Sequence, residues 1–270
     1  MQKVVLITGA SSGIGKETAR SMREEGFKVY GASRRKDKMA DLEEDGIQAL
    51  ALDITDEHSV VQTIETIIEK DGRLDILVNN AGYGSYGSLE DVPMAEARRQ
   101  FEVNLFGLAR LTQLVLPHMR EQKFGRIINI SSIGGSFGEP HGSWYHATKF
   151  ALEGLSDSIR MELKQFGIDV VIIKPGAIQS EWNSIARKGL LEVSGKTAYK
   201  ELVNKHYNML EKADKQASHP SVVAKAILKA ATTKRPKTRY VVGAGAKPLV
   251  FLRKLLADRT FDTLMLGAIK

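Results

Sequence analysis

The 270-residue sequence predicts an α/β fold, a doubly wound sheet of seven parallel strands flanked by helices on both faces. Three observations predict it. Short apolar runs alternate with amphipathic stretches of helical length along the chain, and strands alternating with helices imply βαβ units. The stretches between runs are long enough for crossover helices, which place neighbouring strands parallel and cover both faces of the sheet. The first run leads at once into a glycine-rich turn and a helix, the usual start of a sheet whose ligands sit at the carboxyl ends of its strands.

In chain order the apolar runs fall at residues 4–7, 28–32, 48–52, 76–78, 126–130, 170–173 and 239–242. Helix-like segments at 14–25, 57–70, 95–120, 145–166 and 221–232 separate them. There is no linker, low-complexity tract or internal repeat, so residues 1–270 read as one domain. Two regions break the rhythm. Residues 179–215 are inserted after the sixth strand, and their mixed pattern (Trp182, Ile185, Leu190, Leu191, Tyr199, Leu202, Tyr207) suggests short helices packed as a lid. The tail, 244–270, carries Leu249, Leu252, Leu255, Leu256, Phe261, Leu264, Met265 and Leu266. It reads as a cap on the core or a subunit interface, giving a homodimer or homotetramer. Peripheral membrane contact through the flanking Arg253, Lys254 and Arg259 is the less favoured alternative.

Composition narrows the function classes. The sequence has no cysteine, which excludes a disulfide framework, a thiolate metal site and a cysteine nucleophile. No run approaches the ~20 apolar residues of a membrane span, and the N-terminus lacks a signal core, so a cytoplasmic protein is expected. The net charge is +7, but the basic residues are dispersed and no recognition motif accompanies them, so nucleic-acid binding is not expected. His141, His146, His206 and His219 lack ligand-like spacing, and no metal is expected. Asn129-Ile130-Ser131 is formally a glycosylation sequon, but it falls in an expected buried strand.

The chemistry begins at Thr8-Gly9-Ala10-Ser11-Ser12-Gly13-Ile14-Gly15, between the first strand and the first helix. Glycines there permit a tight turn and let backbone approach a pyrophosphate held at the helix N-terminus. A mononucleotide P-loop does not fit, because its first glycine would fall on Ala10 and Glu17 follows Lys16. The expected ligand is therefore a dinucleotide on a Rossmann-like sheet. A site for NAD(H) would place a carboxylate at the end of the second strand to take the ribose 2′-hydroxyl. Here Ser33, Arg34 and Arg35 stand there instead, so NADP(H) is expected over NAD(H), with Arg34 and Ser33 reading the 2′-phosphate.

Tyr145 and Lys149 are four apart on a helical segment and share a face. Free tyrosine titrates near pH ~10, and a neighbouring ammonium is expected to lower that value towards the working range. Ser132 ends the fifth strand, where its hydroxyl could hold a substrate oxygen beside Tyr145.

With residues 8–15, Asn79-Asn80-Ala81-Gly82 and Tyr145-His146-Ala147-Thr148-Lys149 in order, the chain resembles the short-chain dehydrogenase/reductase family. Asp53, Asn104, Ser132 and Pro175-Gly176 fit the same pattern. The resemblance implies hydride transfer between nicotinamide and a carbonyl or secondary alcohol, with catalytic residues Asn104, Ser132, Tyr145 and Lys149. It gives Asn104 a water-mediated proton relay through Lys149, and gives Lys149 the nicotinamide ribose and Asp53 the adenine amine. Its cofactor-binding set here is Gly9, Ser11, Ser12, Gly13, Ile14, Gly15, Ser33, Arg34, Asp53, Ile54, Asn80, Ala81, Gly82, Tyr145, Lys149, Pro175, Gly176, Ile178 and Ser180. Ser180 stands where threonine often contacts the carboxamide. Residues 149–154 are similar to the branch of hydroxysteroid, retinol and acyl-dihydroxyacetone-phosphate reductases. Tyr83, Tyr86, Phe137, Trp144, Trp182, Ile185 and Leu190 are candidate substrate-lining residues and favour an apolar carbonyl compound. A dinucleotide-sensing regulator on the same fold is the alternative, and the presence of the tyrosine–lysine pair argues against it.

Overall fold

The computed structural model describes residues 2–269; Met1 and Lys270, the ends of the expected domain and tail, lie outside the described residues. Seven parallel strands form one sheet in the order β3-β2-β1-β4-β5-β6-β7. They are β1 Val4–Thr8, β2 Lys28–Ser33, β3 Gln48–Ala51, β4 Ile76–Asn79, β5 Gly125–Ile130, β6 Ile168–Pro175 and β7 Arg239–Val242. The order reverses at β1, which pairs with β2 on one side and β4 on the other. That is the switch point at which an open α/β sheet leaves a crevice for ligands.

The helices are α1 Gly13–Glu24, α2 Ala40–Glu44, α3 Glu57–Asp71, α4 Met94–Phe101, α5 Leu108–Glu121, α6 Ser143–Leu163, α7 Glu181–Ser194, α8 Lys200–Lys215, α9 Ser221–Thr232, α10 Ala246–Leu255 and α11 Asp258–Ala268. Every residue of β1, β4 and β5 is buried. Alternate side chains of each strand enter one of two cores. Val5, Ile7, Val29 and Ile128 pack under α1 and α9, while Val4, Leu6, Leu77 and Ile127 pack under α3 and α5. Each such side chain stabilises the fold by about 1.5–3 kcal/mol relative to exposure.

Two charged groups inside this framework have visible reasons. Arg126 on β5 is 3% exposed, and its Nη1 donates to the carbonyls of Ala230, Ala231 and Thr233 at 2.6, 2.8 and 2.9 Å. It thereby caps the carboxyl end of α9, where the helix dipole favours a cation. Asp75 accepts from Val4 N at 2.8 Å and from the Arg73 guanidinium, tying the start of β4 to β1.

Three expectations change. The helix expected over 95–120 is broken into α4, a π-helical turn at Glu102–Gly107, and α5. The short lid helices are two full ones, α7 and α8, packed on each other around Leu190 and Val203. The tail folds as α10 and α11, with Phe261 and Met265 buried against Phe137 and with Phe251, Leu255 and Leu266 exposed. Among the described residues no helix is long and apolar enough to cross a membrane.

Candidate active site

The glycine loop is held to β4 by a small network. Thr8 Oγ1 accepts from Asn80 N at 3.0 Å and Ala81 N at 2.9 Å, and Asn80 Nδ2 donates to Thr8 O at 2.9 Å and Gly9 O at 3.3 Å. A Cβ on Gly15 would lie 2.3 Å from Gly9 O and 2.6 Å from Asn80 Nδ2, so only glycine lets the helix start this close to the turn. Asn79 donates to Asn129 Oδ1 and Thr112 Oγ1 and ties strand to helix. Ser12 caps α1 without a side-chain bond, leaving the first-turn amides to an outside anion.

The basic pair after β2 divides differently from expectation. Arg35, rather than Arg34, closes on the loop, donating to Ser11 Oγ at 3.2 Å and Ser12 Oγ at 3.3 Å, with Glu181 of α7 at 3.4 Å. Ser33 Oγ accepts from Arg35 N at 3.1 Å and sets that turn. Arg34 is exposed and faces Asp53. Burial would raise the Asp53 carboxyl, but hydrogen bonds from Thr55, with Arg34 and Arg99 nearby, bring it below its ordinary value. Ile54, next in the chain, is buried, and its carbonyl excludes any side chain at Gly107.

Uncapped amides, serine hydroxyls and guanidinium groups at the mouth of this crevice fit the diphosphate and 2′-phosphate of a dinucleotide. On the opposite side Gly176 packs with its Cα against Ala244 O, Pro175 ends β6, and Ile178 is buried. Ser180 Oγ donates to Asn183 Oδ1 at 2.7 Å, so its hydroxyl is turned to its own helix.

The four catalytic candidates converge from β5, the π turn and α6. Ser132 Oγ accepts from Gly134 N at 3.0 Å. Lys149 Nζ is buried and donates to Ile130 O at 3.0 Å, 5.8 Å from the Tyr145 ring centroid. Asn104 is 2% exposed; its side chain accepts from Tyr83 N at 3.0 Å and donates to Tyr83 O at 2.7 Å and Thr148 Oγ1 at 3.2 Å. The π turn is what aims it there, an inserted residue of the kind that recurs at functional sites. None of these side-chain bonds reaches Lys149.

The expected electrostatics of Tyr145 are corrected. Burial pushes its phenol up to about 12, opposed by the Ser132 hydroxyl and reinforced by Glu139. The expected lowering by the ammonium does not outweigh this, and burial also lowers Lys149 itself, to about 8. The burial comes from α7 and the loop after β4. Trp182 stacks on Tyr145 with centroids 5.7 Å apart and donates from Nε1 to Gly84 O at 2.8 Å, while Tyr86 lies 6.1 Å away.

The other lining candidates separate. Leu190 and Phe137 are core, and Ile185 is 64% exposed. Tyr83 donates to Glu96 at 3.0 Å. Trp144 packs edge-on against Phe101, and its Nε1 is buried with no partner among the described residues.

Sequence reading missed a buried polar group beside this site. His141 Nδ1 and His206 Nδ1 are 2.9 Å apart, joining the loop after β5 to α8. Glu139 accepts from the Tyr86 hydroxyl at 2.8 Å. The aromatic candidates flagged the area, but histidine spacing along the chain could not reveal a pair 65 residues apart. Among the described residues no cluster of three or more potential ligands could hold a metal.

Comparison with known proteins agrees with the geometry. The chain is 38% identical over 242 residues to a 3-ketodihydrosphingosine reductase of Bacteroides thetaiotaomicron, covering 89% of this chain and 88% of that one. It is 34% identical over 279 residues to an NADPH-dependent 3-dehydrocapnine reductase of Ornithobacterium rhinotracheale, covering 99% and 98%. Neither name belongs to the hydroxysteroid or retinol branch suggested by residues 149–154. A short-chain dehydrogenase structure from Streptomyces avermitilis superposes with a TM-score of 0.81 at 32% identity, covering 100% and 97%. A metagenomic short-chain oxidoreductase bound to NADP gives 0.71 at 27%, covering 89% and 96%. A 3-ketoacyl-(acyl-carrier-protein) reductase from Brucella melitensis bound to NADH gives 0.75 at 28%, covering 90% and 97%. Both dinucleotides thus occur in similar folds. The family model for short chain dehydrogenases matches residues 3–190, most of the chain, and the protein belongs to that family.

Proposed function

We propose that this oxidoreductase uses NADP(H) to reduce the carbonyl of an apolar, long-chain ketone to a secondary alcohol. The observation that carries the reading is the convergence of Ser132, Tyr145 and buried Lys149 at the carboxyl edge of the sheet, beside the glycine loop. The reaction consumes one carbonyl, one NADPH and one proton and yields alcohol and NADP⁺. Bound NADPH supplies the hydride.

The chain supplies the rest. Ser132 Oγ holds the carbonyl oxygen, and the Tyr145 phenol, kept protonated by burial, gives that oxygen its proton. Lys149 has donors left over from its bond to Ile130 O for the ribose hydroxyls, and Asn104 fixes the loop carrying Tyr83 against α6. Arg35 and Arg34 favour a 2′-phosphate over a bare ribose. The apolar wall of Tyr86, Trp182 and α7 serves as a lid and supports an alkyl substrate, as do two relatives named for 3-keto and 3-dehydro reductions. The exposed Phe251, Leu255 and Leu266 offer an apolar surface for self-association.

The test is NADPH consumption against ketones of increasing chain length. Tyr145→Phe should cut turnover by about 10²–10⁴-fold while NADPH still binds; turnover at the wild-type rate would refute the mechanism.

A further inference from the structure

We propose, resting on the reading above, that His146 is a positioning residue: its neutral imidazole holds the turn that aims the Ser132 hydroxyl at the carbonyl oxygen, and so fixes Ser132 relative to Tyr145.

Ser132 is bonded at two atoms by the turn that follows it. Gly134 N donates to its Oγ at 3.0 Å, and Gly135 N donates to its carbonyl oxygen at 3.0 Å. A hydroxyl that accepts from an amide keeps its own hydrogen for another partner. Its neighbour is Tyr145, whose phenol the Ser132 hydroxyl lowers against the effect of burial. The peptide between Gly134 and Gly135 is held at its other end by α6, because its carbonyl faces His146 Nδ1 at 2.9 Å. His146 follows Tyr145 directly in the chain. One side chain thus spans the two groups that meet the substrate oxygen.

Only one form of the imidazole fits. Gly134 O can only accept, and Glu139 N, 3.2 Å from Nε2, can only donate. Nδ1 therefore carries the hydrogen and Nε2 is the acceptor. The Glu139 carboxylate lies 3.8 Å from the same Nε2, beyond hydrogen-bond reach. The residue is 6% exposed, and its ring is gripped on both edges. A Cβ on Gly134 would lie 2.9 Å from Nδ1, and one on Gly142 would lie 2.8 Å from Nε2. A buried position that needs a donor on one edge and an acceptor on the far edge suits histidine, whereas a side-chain amide carries both at one end. Displacing the ring leaves Gly134 O and Glu139 N unbonded together, which is costly for buried groups and frees the turn that orients Ser132.

The first measurement is the tautomer. Ring ¹⁵N resonances of His146 in the wild-type protein at neutral pH should show a protonated Nδ1 and a bare Nε2; the opposite tautomer overturns the assignment, whether or not any variant folds. NADPH consumption with a long-chain ketone then separates the two bonds. His146→Gln can reach Glu139 N but leaves Gly134 O without its donor, so kcat should fall by about 10–100-fold, the scale of a misplaced reacting group, while the affinity for NADPH is kept. His146→Asn places a donor where Nδ1 stood and should restore most of kcat. In a Ser132→Ala background, which lacks the positioned hydroxyl, His146→Gln should cost nothing further. Equal losses in the Gln and Asn variants, or losses at Ser132 and His146 that simply multiply, overturn the assignment and leave the ketone-reductase reading standing. Absence of NADPH-linked turnover with any ketone in the wild-type enzyme overturns both.

Discussion

The paired histidines give a stability prediction whose size follows from the structure. His141 and His206 share one hydrogen between their Nδ1 atoms, and both Nε2 atoms are buried with no partner among the described residues. Burial, then the neighbouring His206, lowers His141 to about 4, against opposition from Glu139 and Asp91. A depressed folded-state value means that the unfolded chain binds the proton first. The contribution to stability is therefore complete above the ordinary histidine value and is lost as pH falls towards about 4. Integrated from neutral pH down to about 5, the loss from His141 is about 2 kcal/mol, and His206 acts in the same direction. With a urea slope of about 1–3 kcal/mol/M, the unfolding midpoint should fall by about 1 M over that interval. His141→Asn isolates the effect, because His141 has φ 63° and asparagine tolerates the left-handed region. The difference between the two pH dependences reports what His141 and its contacts add. Urea unfolding of both at pH 7.5 and pH 5 measures it. Parallel curves would refute the reasoning.

Other consequences are read at the cofactor crevice. Arg35→Ala should weaken NADPH binding relative to NADH by about tenfold or more, the scale of one charge-assisted contact, with Arg34→Ala having the smaller effect; fluorescence titration with both dinucleotides checks it, and an unchanged NADPH preference in the double variant would remove the argument. Gly15→Ala should destabilise the fold by about 1–3 kcal/mol and raise the Kd for NADPH, since the added carbon meets backbone at Gly9 rather than a side chain that can swing away; a thermal midpoint equal to wild type would contradict it.

How much of this was legible beforehand depends on the range of each interaction. β1, β2 and β7 match their apolar runs to within one residue because period and burial are local signals. β6 extends further than its run, to Pro175, because Lys174 looks like a strand-ending charge in sequence; in space it is paired with Glu153 of α6. The π turn has no local signature, since the partner that holds Asn104 in place is the backbone of Tyr83, 21 residues earlier. Ser132, Tyr145 and Lys149 were visible through their motif. Arg35 was named beside Arg34 but not chosen as the reader, and Glu139 and the His141–His206 pairing were not singled out, because each gains its meaning from a neighbour brought up by another segment.

The raised value of Tyr145 bears on the pH range of the proposed reaction. Hydride delivery to a carbonyl needs a proton donor, and a phenol held near 12 is one throughout the neutral range. The reverse reaction needs the phenolate, which the stacked Trp182 and the Glu139 charge both disfavour. Burial lowers Lys149 to about 8, which makes its ammonium a stronger acid than the phenol, and in the proposed mechanism this favours return of a proton to the phenolate. In the proposed mechanism the same phenol serves both directions, so the Trp182 contact that keeps Tyr145 buried sets the pH range in which each direction runs and leaves the equilibrium between ketone and alcohol unchanged. Trp182→Ala should therefore move the basic limb of the reduction profile to lower pH, and an unmoved limb would refute that link.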